Sequence, residues 1–538
     1  MNGGAPAHLS RAASFPPSRH AVMPAAPVEE LPVRDTVLHA MGWQVVAFLG
    51  LACHVLLVRE GSVALAGLGV AFLGVLYAWR PLAGLAVFLS VLLYQNWFIA
   101  FFSAGMDNTT FRSLQGTTFL LSVVLAAIAA ARILWLEPAR TDRRVTVLAR
   151  LVCLALLVTL AYAALGAARS SAMSAAVYFR VTVSMLLALL VGLDVGRVFG
   201  YRTVATGFLV ALVCGLLLTL VEVMAPHVYY SSTGAVSYMN LKYGPANADW
   251  PLLSPDDLVR ARTQVLFNIT GSASTATSFR FAGPNQHAIS YAYVLAVAGI
   301  VAVALRQSWL LLIVLPLLVL AGVKGALILL VASLALYVPW RLAGNRRLLL
   351  TAGATLTVAY VGLGLTHGLQ QGDFHVIGFL GGLRGFLRNP LGHGIGAGGN
   401  LSTELKGEAL DWQELQRLGV DFALESAVGV LLYQLGIGAL ALFCVFFAVL
   451  RAARPAGGAA WRLPAGPRPT DIAFIALAMV VVNGIFQEEA YSPYALGLLM
   501  LFCGVLIGNG DRPRILHGTL PLLQPGARPL AGTQGDIP

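Results

Sequence analysis

Hydrophobic and polar positions alternate along this chain in long blocks rather than residue by residue. Apolar runs recur from Leu38 to Gly508, and each stops at charge, proline or a glycine-rich stretch. A bilayer crossing needs roughly 20 apolar helical residues, or somewhat fewer where the ends are pinned. On that measure the pattern predicts about 14 spans. They lie near 38–58, 62–79, 81–102, 117–136, 147–168, 174–196, 203–225, 286–305, 308–322, 324–340, 347–366, 424–451, 469–486 and 491–508. The ninth and tenth are short enough to be one long kinked helix. The two-residue alternation of a membrane barrel is absent, so the runs are helices, which satisfy their own backbone in lipid.

Composition supports this. Hydrophobic residues make up 58% of the chain and charged residues 11%, against about a quarter charged in soluble domains. The formal charge of +11 would fit a nucleic-acid binder, but the basic residues sit in short loops, as the positive-inside rule requires. With a cytoplasmic N-terminus, one side of the membrane carries Arg140, Arg143, Arg144, Arg197, Arg202, Arg341, Arg346, Arg347, Arg451, Arg454, Arg462, Arg468, Arg512 and Arg514. Both termini are then cytoplasmic. Residues 1–36 read as a disordered cytoplasmic tail and 509–538 as a cytoplasmic tail. Helical blocks occupy 37–225, 286–366 and 424–508. Two long loops, 226–285 and 367–423, fall on the far side, where loops of such length carry function or fold. The first, with Tyr229, Tyr230, Tyr238, Tyr243 and Trp250, suits a lid. The 5 cysteines all lie in apolar runs and form neither a disulfide framework nor a metal motif.

Candidate chemistry collects on the far side. Arg180 lies near the outer end of the sixth span, Arg280 just before the eighth, and Lys324 interrupts an apolar stretch. Arg384 and Arg388 share a helix face. Charges at such depth are expensive, and each is either a snorkelling charge or part of an anion site. A polyprenyl diphosphate is the anion expected there. Glu425, His287, His393, Glu488 and Glu489 are the candidate bases. Glu425 is either a base or a helix cap, His393 a loop hydrogen-bonder or a contact, and Glu488-Glu489 a solvated turn. Asn285 either caps the eighth helix or touches sugar. Asp256-Asp257 after Ser254-Pro255 read as a helix start rather than a metal site, so no metal or other cofactor is expected. Asn268-Ile-Thr270 fits a short glycosylation pattern.

In order along the chain come Arg280-Phe-Ala-Gly-Pro-Asn285, Val323-Lys-Gly-Ala326, Arg384 through Asn389-Pro-Leu-Gly-His-Gly-Ile-Gly396, and Glu425-Ser426 followed by Leu431-Leu-Tyr-Gln-Leu-Gly-Ile-Gly438. This series resembles the O-antigen ligase and O-antigen polymerase (Wzy-like) superfamily over about 278 to 440. The resemblance implies a GT-C-like all-α polytopic architecture in a bacterial inner membrane. It also implies metal-independent glycosyl transfer from an undecaprenyl-diphosphate-linked oligosaccharide, with Arg280 and Lys324 on the diphosphate. Expected partners are that donor, membrane lipid, a flippase and a chain-length regulator. The chain departs from the family twice. Lys324 replaces an arginine, and Glu425 stands where the ligases carry a histidine, which favours a polymerase over a ligase. A flippase of the same substrate is the alternative of another class, but no internal repeat supports it.

Overall fold

The computed structural model describes residues 33–138, 141–243, 252–266, 277–402, 423–452 and 469–510. Trp250, Asn268, Thr270, Arg140, Arg454, Arg462, Arg468, Arg512 and Arg514, and the tails before 33 and after 510, lie outside the described residues. Among those described, nine helices are long and apolar enough to cross a membrane, and five shorter apolar helices accompany them. The chain is an all-α, membrane-embedded protein.

The first seven long elements are α1 (Val33–Arg59), α2 (Val63–Trp79), α3 (Pro81–Phe101), α4 (Asn108–Ala131), α5 (Arg143–Arg169), α6 (Ala172–Val198) and α7 (Tyr201–Met224). α4 starts earlier than the apolar run, because Asp107 caps it by accepting from Thr110 N, and it ends in a π turn, Arg132–Leu136. α6 is the central helix. It pairs with α19 (Leu498–Asn509) through Gly192 and Gly196 on one side and Gly504 and Gly508 on the other. A Cβ at Gly192 would strike the Leu501 carbonyl, and one at Gly196 the Val505 carbonyl. Small residues four apart let two helices approach backbone to backbone, the main packing device where water supplies no driving force.

At the Arg197 end of α6 four charges are tied together. Asp194, with no exposed surface, accepts from Tyr77 Oη (2.8 Å) and Arg197 (2.7 Å), with Arg132 at 3.3 Å. Glu137 bridges the same two arginines. Arg197 is therefore a buried ion-pair member rather than a free loop charge, and the group sums to zero, as burial of charge demands.

The described residues of loop 226–285 are folded. It holds α8 (Pro226–Thr233), α9 (Ala235–Tyr243), α10 (Pro255–Arg262), and strands β1 (Thr263–Val265) and β2 (Thr277–Phe279), paired antiparallel with Thr263 opposite Phe279. Ser254 and Asp257 form a reciprocal capping box at α10, which is the helix start read from the sequence. The hairpin delivers the chain to Arg280, whose N–H donates to Arg262 O.

The second half contains α11 (Ala288–Ala304), α12 (Leu311–Ala321), α13 (Lys324–Ala343), α14 (Arg346–Gln371) and α15 (Phe374–Arg388). α12 and α13 are separate helices, parted by Gly322 in the left-handed region (φ 64°), and not one kinked span. The run expected at 424–451 is one candidate span, Ala427–Ala452, with a turn inside it. α16 (Ala427–Leu435) and α17 (Ala439–Ala452) flank a tight turn at Gly436–Gly438, before α18 (Pro469–Asn483).

Candidate functional site

The break between α16 and α17 exposes backbone groups that a membrane interior would penalise. The glycine-rich loop satisfies them. His393 N and Gly394 N donate to Tyr433 O and Gln434 O at 3.0 and 2.9 Å, and Ile437 N donates to Pro390 O at 2.8 Å. The loop then threads between α5, α6 and α16, with Ile395 N donating to Tyr162 O. Gly394 and Gly396 adopt φ of 97° and 98°, and a Cβ on Gly396 would lie 2.5 Å from Ala175 N. Gly396→Ala is expected to cost about 2–3 kcal/mol, measured as a lower melting temperature of the detergent-solubilised protein. His393 stacks on Tyr433 at 4.0 Å between centroids and pins this loop.

Two further motifs meet each other. The Arg280 guanidinium reaches Gly322 O (3.5 Å), two residues before Lys324, and its Nε has no hydrogen-bond partner among the described residues. Burial pushes the Arg280 guanidinium below the usual arginine range. Lys324 opens α13 and is exposed. A cation at a helix N-terminus opposes the macrodipole, so its place there is not explained by helix stability. The segment after Arg280 is held by Glu222, fully buried at the end of α7. Glu222 accepts from Ala282 N (2.9 Å), Gly283 N (2.6 Å), Tyr230 Oη (2.6 Å) and Arg262 (3.0 Å).

Turn Gly484–Ser492, between α18 and α19, borders the start of α13, the start of α16 and the end of the glycine-rich loop. A Cβ on Gly325 would meet the Gln487 side chain at 3.1 Å, and Asn483 Nδ2 donates to Gly325 O (2.8 Å). Glu488 N donates to Glu425 O (2.9 Å), and Ser426 Oγ donates to Ile485 O (2.7 Å). The Glu488 carboxylate accepts from Tyr178 Oη (2.8 Å), which in turn accepts from Leu401 N at the end of the glycine-rich loop. Glu489 accepts from Ser290 Oγ, whose other neighbour is His287 Nδ1 (2.7 Å).

The expected solvated turn is thus overturned. Glu488 and Glu489 lie deep in the protein yet keep some accessible surface, as groups lining an internal polar space do. Burial raises both, pushing Glu488 up to about 7; the Tyr178 bond opposes this, and the charges of Glu489 and Glu425 add to it. A doublet of glutamates reads as solvated from sequence, and only the serine and tyrosine donors arriving from other helices make their burial tolerable.

Glu425 is not the cap. Ser426 caps α16 by accepting from Gly429 N, while Glu425 takes a left-handed backbone (φ 47°) and faces His375 Nδ1 at 3.4 Å. Glutamate rarely adopts that conformation, and such strain gathers at functional positions. Nor does Asn285 cap α11: His287 does, accepting from Ser290 N. Asn285 is 1% exposed and its side-chain amide has no partner among the described residues.

Arg180, two residues after Tyr178, donates to Gln115 Oε1 (3.2 Å) and lies beside Tyr238 and Tyr494. Arg384 and Arg388 are exposed on α15, away from the face where Gly378 and Gly382 press on Leu424 and Gly429. The structure does not draw them to the turn. Sequence reading passed over His375, Tyr178, Ser290, Glu222 and Lys242. The Glu222 position carried one usable signal, an acidic residue inside an apolar run. No family model matches the chain, and no curated protein or solved structure matches it.

Proposed function

We propose that this protein is a polysaccharide polymerase of the exopolysaccharide, capsule or O-antigen kind. It transfers a glycan from undecaprenyl diphosphate to the end of a lipid-linked repeat unit at the periplasmic face. The observation that carries this reading is the under-paired Arg280 reaching Gly322 O beside the exposed Lys324, on a helix whose Gly325 packs against Gln487 of the turn that holds Glu488 and Glu489. Arg280 and Lys324 neutralise the charge that collects on a departing diphosphate. A carboxylate of the Glu425, Glu488 and Glu489 group receives the proton of the acceptor hydroxyl. Asn285, His287 and the described elements of the 226–285 loop flank the sugars, and Arg180 extends the positive field. A flippase delivering substrate and a chain-length regulator are the partners such a reaction calls for.

Transfer to lipid A-core or to protein is the second reading. The imidazole of His375 beside Glu425 favours it, since the ligases use a histidine toward the acceptor.

Purified protein in proteoliposomes with lipid-linked repeat units separates these outcomes. A ladder of longer lipid-linked glycans is expected. Transfer only when lipid A-core is supplied makes it a ligase, and movement of the substrate across the bilayer without a new bond makes it a transporter.

A further inference from the structure

Three carboxylates crowd this turn, and their surroundings differ. Glu425 faces His375 and is about a third exposed, with side-chain exposure of 36%. Its main-chain carbonyl is engaged by Glu488 N and lies 3.1 Å from His375 Nδ1. Glu489 receives the Ser290 hydroxyl, backed by His287, and feels the positive charge of Lys242. Glu488 has one oxygen, Oε1, held by the Tyr178 hydroxyl, while Oε2 has no hydrogen-bond partner among the described residues. A buried carboxylate oxygen without a donor is costly when ionised. With Glu425 and Glu489 close by, a proton on Oε2 relieves both that cost and the like-charge repulsion.

We propose that Glu488, resting on the polymerase reading, is the base of the transfer step, its Oε2 taking the proton of the acceptor hydroxyl. In that step the acceptor oxygen forms a bond to the anomeric carbon of the donor glycan. The bond from that carbon to the diphosphate oxygen breaks, and its electron pair leaves with the diphosphate, whose charge Arg280 and Lys324 meet. The acceptor proton stays on Glu488 and is then lost to water. Tyr178, fixed by Leu401 N, holds Oε1 and leaves Oε2 as the oxygen without a donor. The other ionisable or polar groups around the turn include Gln487 and Ser492 within it, His287 and Ser290 before and on α11, Tyr494 after it with Arg180 alongside, Asn483 on α18, and the Asn400 N–H, which also engages the Glu488 carboxylate. None of these supplies a donor to Oε2.

The test is the pH dependence of elongation in proteoliposomes, using lipid-linked repeat units extracted from the producing cells. The base must be ionised, so wild-type turnover is expected to fall tenfold per unit below about pH 7 and to level off above it. Glu488→Gln is expected to lose about 10²–10⁴-fold in turnover and the pH step with it, while still binding undecaprenyl diphosphate. Tyr178→Phe removes a bond that favours the ionised form and orients the carboxylate, so it is expected to move the step upward and to lower turnover on its plateau. A Glu488→Gln protein that elongates at the wild-type rate with the same pH step overturns the assignment and leaves the polymerase reading standing. One that melts early and no longer binds undecaprenyl diphosphate makes Glu488 a strut, which also overturns it. A wild-type protein that makes no ladder at any pH sinks the polymerase reading, and this assignment with it.

Discussion

Arg280→Ala is expected to slow elongation by about 10²–10³-fold, the loss seen when a preorganised donor is removed from a developing negative charge. Arg280 is buried enough to be desolvated, its Nε is unpaired among the described residues, and its guanidinium makes a long bond to Gly322 O. Little in the resting protein depends on that guanidinium, so the alanine variant should fold. Its melting temperature should stay within a few degrees of wild type. Arg280→Lys keeps the charge without the planar fork and should recover part of the rate. Measuring turnover together with affinity for undecaprenyl diphosphate checks the point: equal turnover in wild type and Arg280→Ala removes Arg280 from the diphosphate role.

Glu222→Ala is expected to be the most damaging single change to the fold around the site. Its carboxylate, with no exposed surface, is the common acceptor for two backbone amides, a tyrosine hydroxyl and an arginine. Deleting it strands the Arg262 guanidinium in the interior and orphans Ala282 N and Gly283 N, a loss of about 3–5 kcal/mol for one partner of a buried pair. Because those amides belong to the segment that follows Arg280, activity should fall even in the fraction that remains folded. Glu222→Gln keeps an acceptor oxygen but not the charge, and should lie between the two. Melting curves in detergent check the stability half. A Glu222→Ala protein as stable as wild type would show that the buried node contributes nothing.

The helical, membrane-embedded character was legible because it depends on runs of side-chain type: apolar blocks of spanning length, with arginines gathered in the loops between them. Arg280, Lys324 and the glycine-rich loop were legible as motifs for a similar reason. A cation in an apolar stretch is expensive, and Gly394 and Gly396 adopt backbone angles that other residues avoid. The helix start at Ser254 was visible because capping is local.

What the residues do together was not legible. Ser426 rather than Glu425 caps α16, and His287 rather than Asn285 caps α11, because each choice depends on backbone angles set by contacts with other segments. Glu488 and Glu489 have the composition of a wet turn; their burial follows from Tyr178 and Ser290, residues distant in sequence, arriving with donors. His375 gained a place only when α15 laid its glycine face against α16 and brought its first turn to Glu425. The amino-acid sequence by itself determined that this chain is a membrane-embedded protein built of apolar helices, since transfer into lipid is a sum over local residues. Tertiary structure alone decided which polar groups meet at turn Gly484–Ser492, since a hydrogen bond or an ion pair depends on distance in space and not on separation along the chain.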